Sequence, residues 1–417
     1  MSRIQIATCR EFLSCGLGLV GIGAAVPSFL IRTALAGPQA QSGEPILVVL
    51  QLSGGHDGLS AVVPYGNDDY ARHRKQTRIK ADQVLKIDDE IGLHPNLSGW
   101  KDLLDAGSFA VVQGVGYPNA NRSHFKSMDI WHLADNSERP SARYGWIGRY
   151  CDHAFEGDPD PEVVMSVGGG ESPRAVQGRK HGGIDFRGAD RYRYMVGDQD
   201  AQLGSLYRTL NESALKEKPT KKNENLEFIA QATVNANASS DQIRTLVKRS
   251  ADAGYPPTAL GTSLRTVASL ISGGLRTRVY YVFQGGFDTH RDQRARHDQL
   301  MAELNGSVTA FQRDLAQQGH AERVVTMAFS EFGRRVQENA SRGTDHGKAG
   351  PMFLFGPRVK AGVHGQLPSL AGDDLDRGDL KHNVDFRSVY ATLLEKWMGT
   401  ESQPILGEKF PLVDCIG

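Results

Sequence analysis

The sequence predicts an α/β protein: a doubly wound, largely parallel sheet with helices on both faces and a helical cap or insertion. Three observations predict it. Short apolar runs alternate with longer stretches whose apolar residues recur every three or four positions, the pattern of strands and crossover helices. The short runs are rich in Val, Ile, Leu and Phe, as strands covered on both faces are. Acidic residues and histidines stand just past the ends of these runs, and open α/β sheets collect ligands at the carboxyl ends of their strands.

Taken in order, residues 1–36 have the pattern of an export signal peptide. Arg3 and Arg10 give a positive start, 13–30 is apolar and rich in Gly and Ala, and Ala34-Leu35-Ala36 is an A-x-A cleavage site. An uncleaved anchor is the alternative, but Gly16, Gly18, Gly21, Gly23 and Pro27 weaken a spanning helix. The stretch TCREFLSCG resembles a twin-arginine signal with Cys9 at the place of the first arginine, so the twin-arginine and general secretion routes both stay open. The expected location is the periplasm or the exterior, with no stable membrane span after cleavage. The whole chain carries 48 basic and 48 acidic side chains, and cleavage would leave a net charge of about −2. Such a balance argues against a nucleic-acid partner.

From Pro45 the α/β pattern begins, and 45–417 reads as one domain. Ile46–Leu52 is a central strand ending at Ser53-Gly54-Gly55. Residues 97–104 form a helix, 109–115 the next strand, and 163–167 a third. The polar, lysine-rich stretch 212–250 is helical in pattern. With its flanks, about residues 170–275, it reads as the cap. A strand at 279–283 leads into a helix carrying Leu300, Leu304, Val308, Phe311 and Leu315, which Gly319 ends. Val324–Phe329 and 352–355 are further strands. The last helix puts Phe386, Val389, Tyr390, Leu393, Leu394 and Trp397 on one face, with Asp385 as its N-cap. Cys151 and Cys415 would outlast the signal; a disulfide between them is open, and neither sits in a zinc-type CxxC pair.

Chemistry gathers in short motifs. In GGFDTH, Asp288 and His290 offer a hard oxygen and an imidazole nitrogen, a pairing that suits zinc, manganese or iron first and calcium or magnesium second. An N-cap beside a surface histidine is the competing reading. In GTDHG, a loop flanked by glycines can turn both Asp345 and His346 toward a metal; an Asx-turn is the alternative. LSGGHDG offers Asp57 as a ligand or a loop cap, with His56 bordering the site. FSEFGRR puts Glu331 just past its strand, with Arg334 and Arg335 within one helical turn, where a guanidinium would hold an oxyanion. YPNANRSHF supplies Arg122, Ser123 and His124. A serine beside metals is a nucleophile candidate, against a capping role for Asn121 or Ser123. His382 is a further candidate ligand and His364 a weaker one. His73, His132, His153, His181, His297 and His320 read as surface or packing residues.

Together LSGGHDGLSAVVP, NRSHF, GGFDTH, SEFGRR, GTDHG and DFRSVYATLL make the chain resemble the DUF1501 family of exported bacterial proteins, within the alkaline phosphatase and sulfatase superfamily, over about residues 45–400. The resemblance implies a doubly wound sheet, a pair of divalent metal ions and a serine, threonine or modified cysteine nucleophile. By chain order Asp57 resembles the first metal aspartate and Ser123 the nucleophile. Asp288 and His290 resemble the aspartate–histidine pair of one metal, and Asp345 with His346 the later histidine-bearing loop. Glu331 falls where the superfamily has the aspartate of SDHG, and SEFG stands here instead. No C-x-P-x-R sulfatase signature is present, so formylglycine is not implied.

The expected function is therefore metal-dependent hydrolysis of phosphate or sulfate esters on a small molecule or polysaccharide. Asp57, Asp288, His290, Glu331, Asp345, His346 and His382 are the expected ligands, and Ser123, Arg122 and Arg334 the catalytic groups. A non-catalytic cell-envelope or polysaccharide-binding protein and a phosphoryl transferase or mutase are the rivals. No protein partner is legible.

Overall fold

β1 (Ile46–Leu52) is buried along its whole length, because a strand that is aliphatic on both faces can lie only between two layers. The computed structural model describes residues 43–417 apart from 139, 158, 159, 170, 171 and, between 187 and 252, all but 202, 205, 206, 209, 213 and 243–247. The expected signal peptide and most of 212–250 lie outside these residues.

After β1, three short strands, β2 (Val62–Val63), β3 (Leu85–Lys86) and β4 (Gly92–Leu93), form a small separate sheet. Then come α1 (Ser98–Asp105), β5 (Phe109–Gly116), α2 (His124–Leu133), α3 (Trp146–Ala154), β6 (Val164–Val167) and β7 (Ile184–Phe186). The chain continues with α4 (Ala259–Ser272), β8 (Val279–Gln284), α5 (Gln293–Gln317) and β9 (Val324–Phe329). A hairpin of β10 (Arg334–Glu338) and β11 (Thr344–His346) precedes β12 (Gly350–Phe355), β13 (Gly362–His364), β14 (Val384–Asp385) and α6 (Phe386–Thr392).

Among the described residues the main sheet runs β13-β5-β12-β9-β1-β8-β6-β7, with β14 also on β5. Its pairs are parallel except those that β12 makes with β5 and β9. The exception follows from connectivity. A parallel neighbour needs a long crossover, usually a helix, whereas β9 reaches β12 through the β10–β11 hairpin.

The helices obey their apolar spacing. On α5, Leu300, Leu304, Val308, Phe311 and Leu315 are fully buried, each contributing about 1.5–3 kcal/mol. Gly319 follows the helix with φ +74°, the left-handed conformation a glycine tolerates. Asp385 caps α6 by accepting from the Arg387 N–H at 2.9 Å. That helix continues as a π-turn, Leu393–Trp397.

One expectation about the elements is corrected. The segment after Glu331 is a strand, not the start of a helix, because β10 pairs with β11. The described flanks of 170–275 belong to the main layers: β7 pairs with β6 at the sheet edge, and α4 packs on α5. No disulfide joins Cys151 and Cys415, and both are buried. Among the described residues no helix is long and apolar enough to cross a membrane.

Candidate metal centre

Loops leaving β1, β5, β8 and β9 meet with the tip of β11. Gly54, at φ +121°, lets the turn after β1 pass the loop after β8: a Cβ there would lie 2.5 Å from the Asp288 nitrogen. The Gly54 N–H also donates to Glu331 Oε1 at 2.9 Å, tying the β1 turn to the β9 turn. Gly343 does the same for the hairpin, since a Cβ would come within 2.2 Å of the His290 backbone.

Three histidines converge on Asp288, and the partners of their Nδ1 atoms set their tautomers. His346 Nδ1–H donates to the Arg122 carbonyl at 2.8 Å. His124 Nδ1–H donates to Glu331 at 2.8 Å, and His290 Nδ1–H to Asp345 at 3.1 Å. Each ring is left with an Nε2 lone pair. The Nε2 atoms of His290 and His346 lie 2.9 Å apart, and each is 3.0 Å from Asp288 Oδ1. His124 Nε2 is buried without a hydrogen-bond partner, 3.6 Å from Asp288 Oδ2. One ligand atom from each of His124, Asp288 and His346 lies within 4.8 Å of the other two. Four acceptors facing one another repel unless a cation lies among them, so the donor set fits a divalent metal ion. Phe332 closes one side, its ring centroid 5.0 Å from His124 and 4.8 Å from His346.

The surrounding groups hold this arrangement. Arg334 is buried and donates to the carbonyls of Gly55 at 2.6 Å, Thr344 at 2.8 Å, Phe287 at 3.0 Å and Gly54, and to Asp288 Oδ1 at 2.7 Å. Burial alone would raise the Asp288 carboxyl, but the hydrogen bond and positive charge of the Arg334 guanidinium bring it down to about 2. Glu331 is 2% exposed; burial pushes it up, and hydrogen bonds from His124, Gly54 and Ser330 outweigh that, leaving it below the usual range. The Glu331 hydrogen bond in turn raises His124.

The expected ligands are thus sorted by geometry. Asp288, His290 and His346 face one another. Glu331 and Asp345 stand one layer out, each orienting a histidine. Asp57 is elsewhere: buried, it accepts from Arg74 at 2.7 and 3.0 Å, from Ser60 at 2.7 Å and from Gln293. Burial raises Asp57, and Arg74 overrides it to hold the carboxylate ionised. Oδ2 accepts from Arg74, Ser60 and Gln293 and Oδ1 from Arg74, so Asp57 is the partner of Arg74. His382 lines a neighbouring cleft, and His364 Nε2 donates to the Lys360 carbonyl at 2.6 Å. Arg334, expected at an oxyanion, spends its donors on carbonyls and Asp288 and acts as a positioning residue. Arg122 is half-exposed, and Ser123 is exposed at the N-cap of α2 with no side-chain capping bond. His124 is the residue sequence reasoning passed over as a ligand. Its signal was present: it follows a strand-end loop in the same motif as Ser123.

Fold and site together define a class: a mostly parallel α/β protein with a histidine–carboxylate centre at its strand ends. Within that class the chain belongs to the DUF1501 family, described as "Protein of unknown function (DUF1501)", which it matches over residues 45–412. No curated protein matches it. Among solved structures it is similar to an alkaline phosphatase superfamily protein from Vibrio parahaemolyticus (8% identity, 91% of this chain and 76% of that one, TM-score 0.40). It is also similar to the zinc-complexed C-terminal periplasmic domain of EcEptC from Escherichia coli (9% identity, 76% and 75%, TM-score 0.38). A sulfatase from Pseudoalteromonas gives 10% identity, 82% and 74% coverage and a TM-score of 0.36.

Proposed function

We propose that this chain is an exported, metal-dependent hydrolase of phosphate or sulfate esters. The observation that carries the reading is the meeting of three imidazole Nε2 atoms with the Asp288 carboxylate, which with the protons on Nδ1 offers nitrogen and oxygen lone pairs to a cation. Nitrogen with hard oxygen suits zinc, manganese or iron before calcium or magnesium. His124, Asp288, His290 and His346 would hold the ion, which supplies Lewis acidity toward an ester oxygen when bound. The chain's own residues do the rest. Glu331, Asp345 and the Arg122 carbonyl fix the imidazole tautomers, and Arg334 fixes Asp288. Ser123 is the nucleophile in this reading. Its Oγ attacks phosphorus or sulfur, the ester oxygen leaves as an alcohol, and water then frees the acid and regenerates the serine. The Arg122 side chain offsets charge on the non-transferred oxygens.

Elemental analysis of wild type beside Asp288→Ala and Ser123→Ala tests this. Wild type retains zinc, manganese or iron and cleaves a phosphate or sulfate ester. Asp288→Ala loses metal and turnover together, and Ser123→Ala loses turnover by about a thousandfold while keeping the metal. A wild type that binds no such ion after reconstitution sinks the reading and favours a non-catalytic carbohydrate-binding role.

A further inference from the structure

Beside the centre lies a cleft of 210 Å³, lined among others by Asn119, Lys348, Asp376, Lys381 and His382. Two short segments connect it to the histidines. Ala120 of the cleft wall is two residues before Arg122, whose carbonyl holds His346, and Lys348 is two residues after His346.

The charge of this cleft exceeds what its own pairs require. Lys348 bonds Asp376, and Arg377 stands 3.5 Å from the same carboxylate. Asp379, 1% exposed, has Arg122 at 3.6 Å and Arg335 at 3.4 Å. Its Oδ1 still lacks a hydrogen-bond partner. Lys381 is exposed and makes no ion pair with a described residue. Among the residues that line the cleft, Lys348 and Lys381 therefore outnumber Asp376, while Arg122 and Arg335 pair with Asp379 behind it. On a chain whose total charge is zero, that is a local positive excess beside the proposed ester site. The Asn119 amide and the His382 imidazole add neutral hydrogen-bonding groups suited to hydroxyls.

We propose that this cleft is a second anion subsite, and that the substrate is a carbohydrate carrying a further sulfate, phosphate or carboxylate besides the ester cleaved at the metal centre. The proposal rests on the hydrolase reading for the cleaved ester and on the cleft alone for the second anion. A sugar ring would bridge the two, with its hydroxyls against Asn119 and His382 and its second anion against Lys381 and Lys348.

Calorimetry on the metal-loaded full chain tests it, with a disulfated disaccharide and its monosulfated counterpart as probes, followed by incubation and product analysis. Wild type binds the disulfated probe about tenfold more tightly, the worth of one charge-assisted contact. Lys381→Ala brings that ratio below about threefold, and Lys409→Ala, an exposed lysine outside the cleft, leaves it in place. Equal affinity for the two probes in wild type, or an unchanged ratio in Lys381→Ala, overturns the subsite. A preserved ratio with neither probe ever cleaved supports the subsite and overturns sulfate-ester hydrolysis at the centre instead.

Discussion

His297 sits in the core with neither ring nitrogen hydrogen-bonded, stacked on His56 at 5.6 Å and tilted against His94 at 5.7 Å. Burial pushes His297 down to about 3 and His56 down to about 4. Asp57, Asp298 and Glu331 oppose this, while Arg334 and the other imidazoles reinforce it. An unfolded imidazole titrates near 6.5, so below that pH the unfolded chain binds more protons than the folded one. Stability present above pH 6.5 is lost as pH falls toward the folded values, by about 1.4 kcal/mol per pH unit for each histidine. His297→Leu, which removes two unpaired polar atoms at similar volume, should match or exceed wild-type stability at pH 5 and show a shallower slope. Urea unfolding at several pH values reads this directly, and a steeper slope in the variant refutes it. Sequence marks His297 only as a packing residue; its missing partners are a property of three dimensions. The same holds for Asp57, whose partner Arg74 lies in a stretch without any motif. That carboxylates and imidazoles gather past the strand ends was legible in the motifs. Which of them face the centre and which stand behind was not.

At the scale of elements, strand existence was plain, with β1 and β9 matching their apolar runs. Strand direction was not, since an apolar run reads the same both ways, and β12 proved antiparallel. The β10–β11 hairpin was hidden because RRVQE has charges where a strand face is expected, and Arg334 points inward only because carbonyls await it. Two turns depend on such local chemistry. Gly54→Ala places a methyl against the Asp288 backbone at a left-handed φ, so it should weaken metal retention at least tenfold while far-ultraviolet circular dichroism stays native. Arg74 joins Asp57, at the end of β1, to the carbonyls of Val336 at 2.6 Å and Arg335 at 2.8 Å on β10. Arg74→Met leaves Asp57 buried and charged without a partner, which should cost about 3–5 kcal/mol in chemical denaturation. A loss below about 1 kcal/mol would show that Asp57 is solvated or protonated instead.

For the whole molecule, an ion that binds the folded chain alone stabilises it by mass action. At a hundredfold excess over Kd the gain is about 2.7 kcal/mol, enough to raise Tm by several degrees. Chelation should therefore lower Tm in wild type and leave Asp288→Ala unmoved. Equal shifts in both would place the ion outside this centre.

The side chains proposed as ligands of that centre come from residues far apart in the sequence, with His124 at the start of α2 and His346 on the hairpin before β12. A ribosome has to emit nearly the whole polypeptide before the last of them exists, so nascent or truncated chains cannot acquire the ion. Which metal such a centre would take then depends on where synthesis and folding finish. Intrinsic affinity would favour copper over zinc at most such sites, and the supply in that compartment decides the outcome.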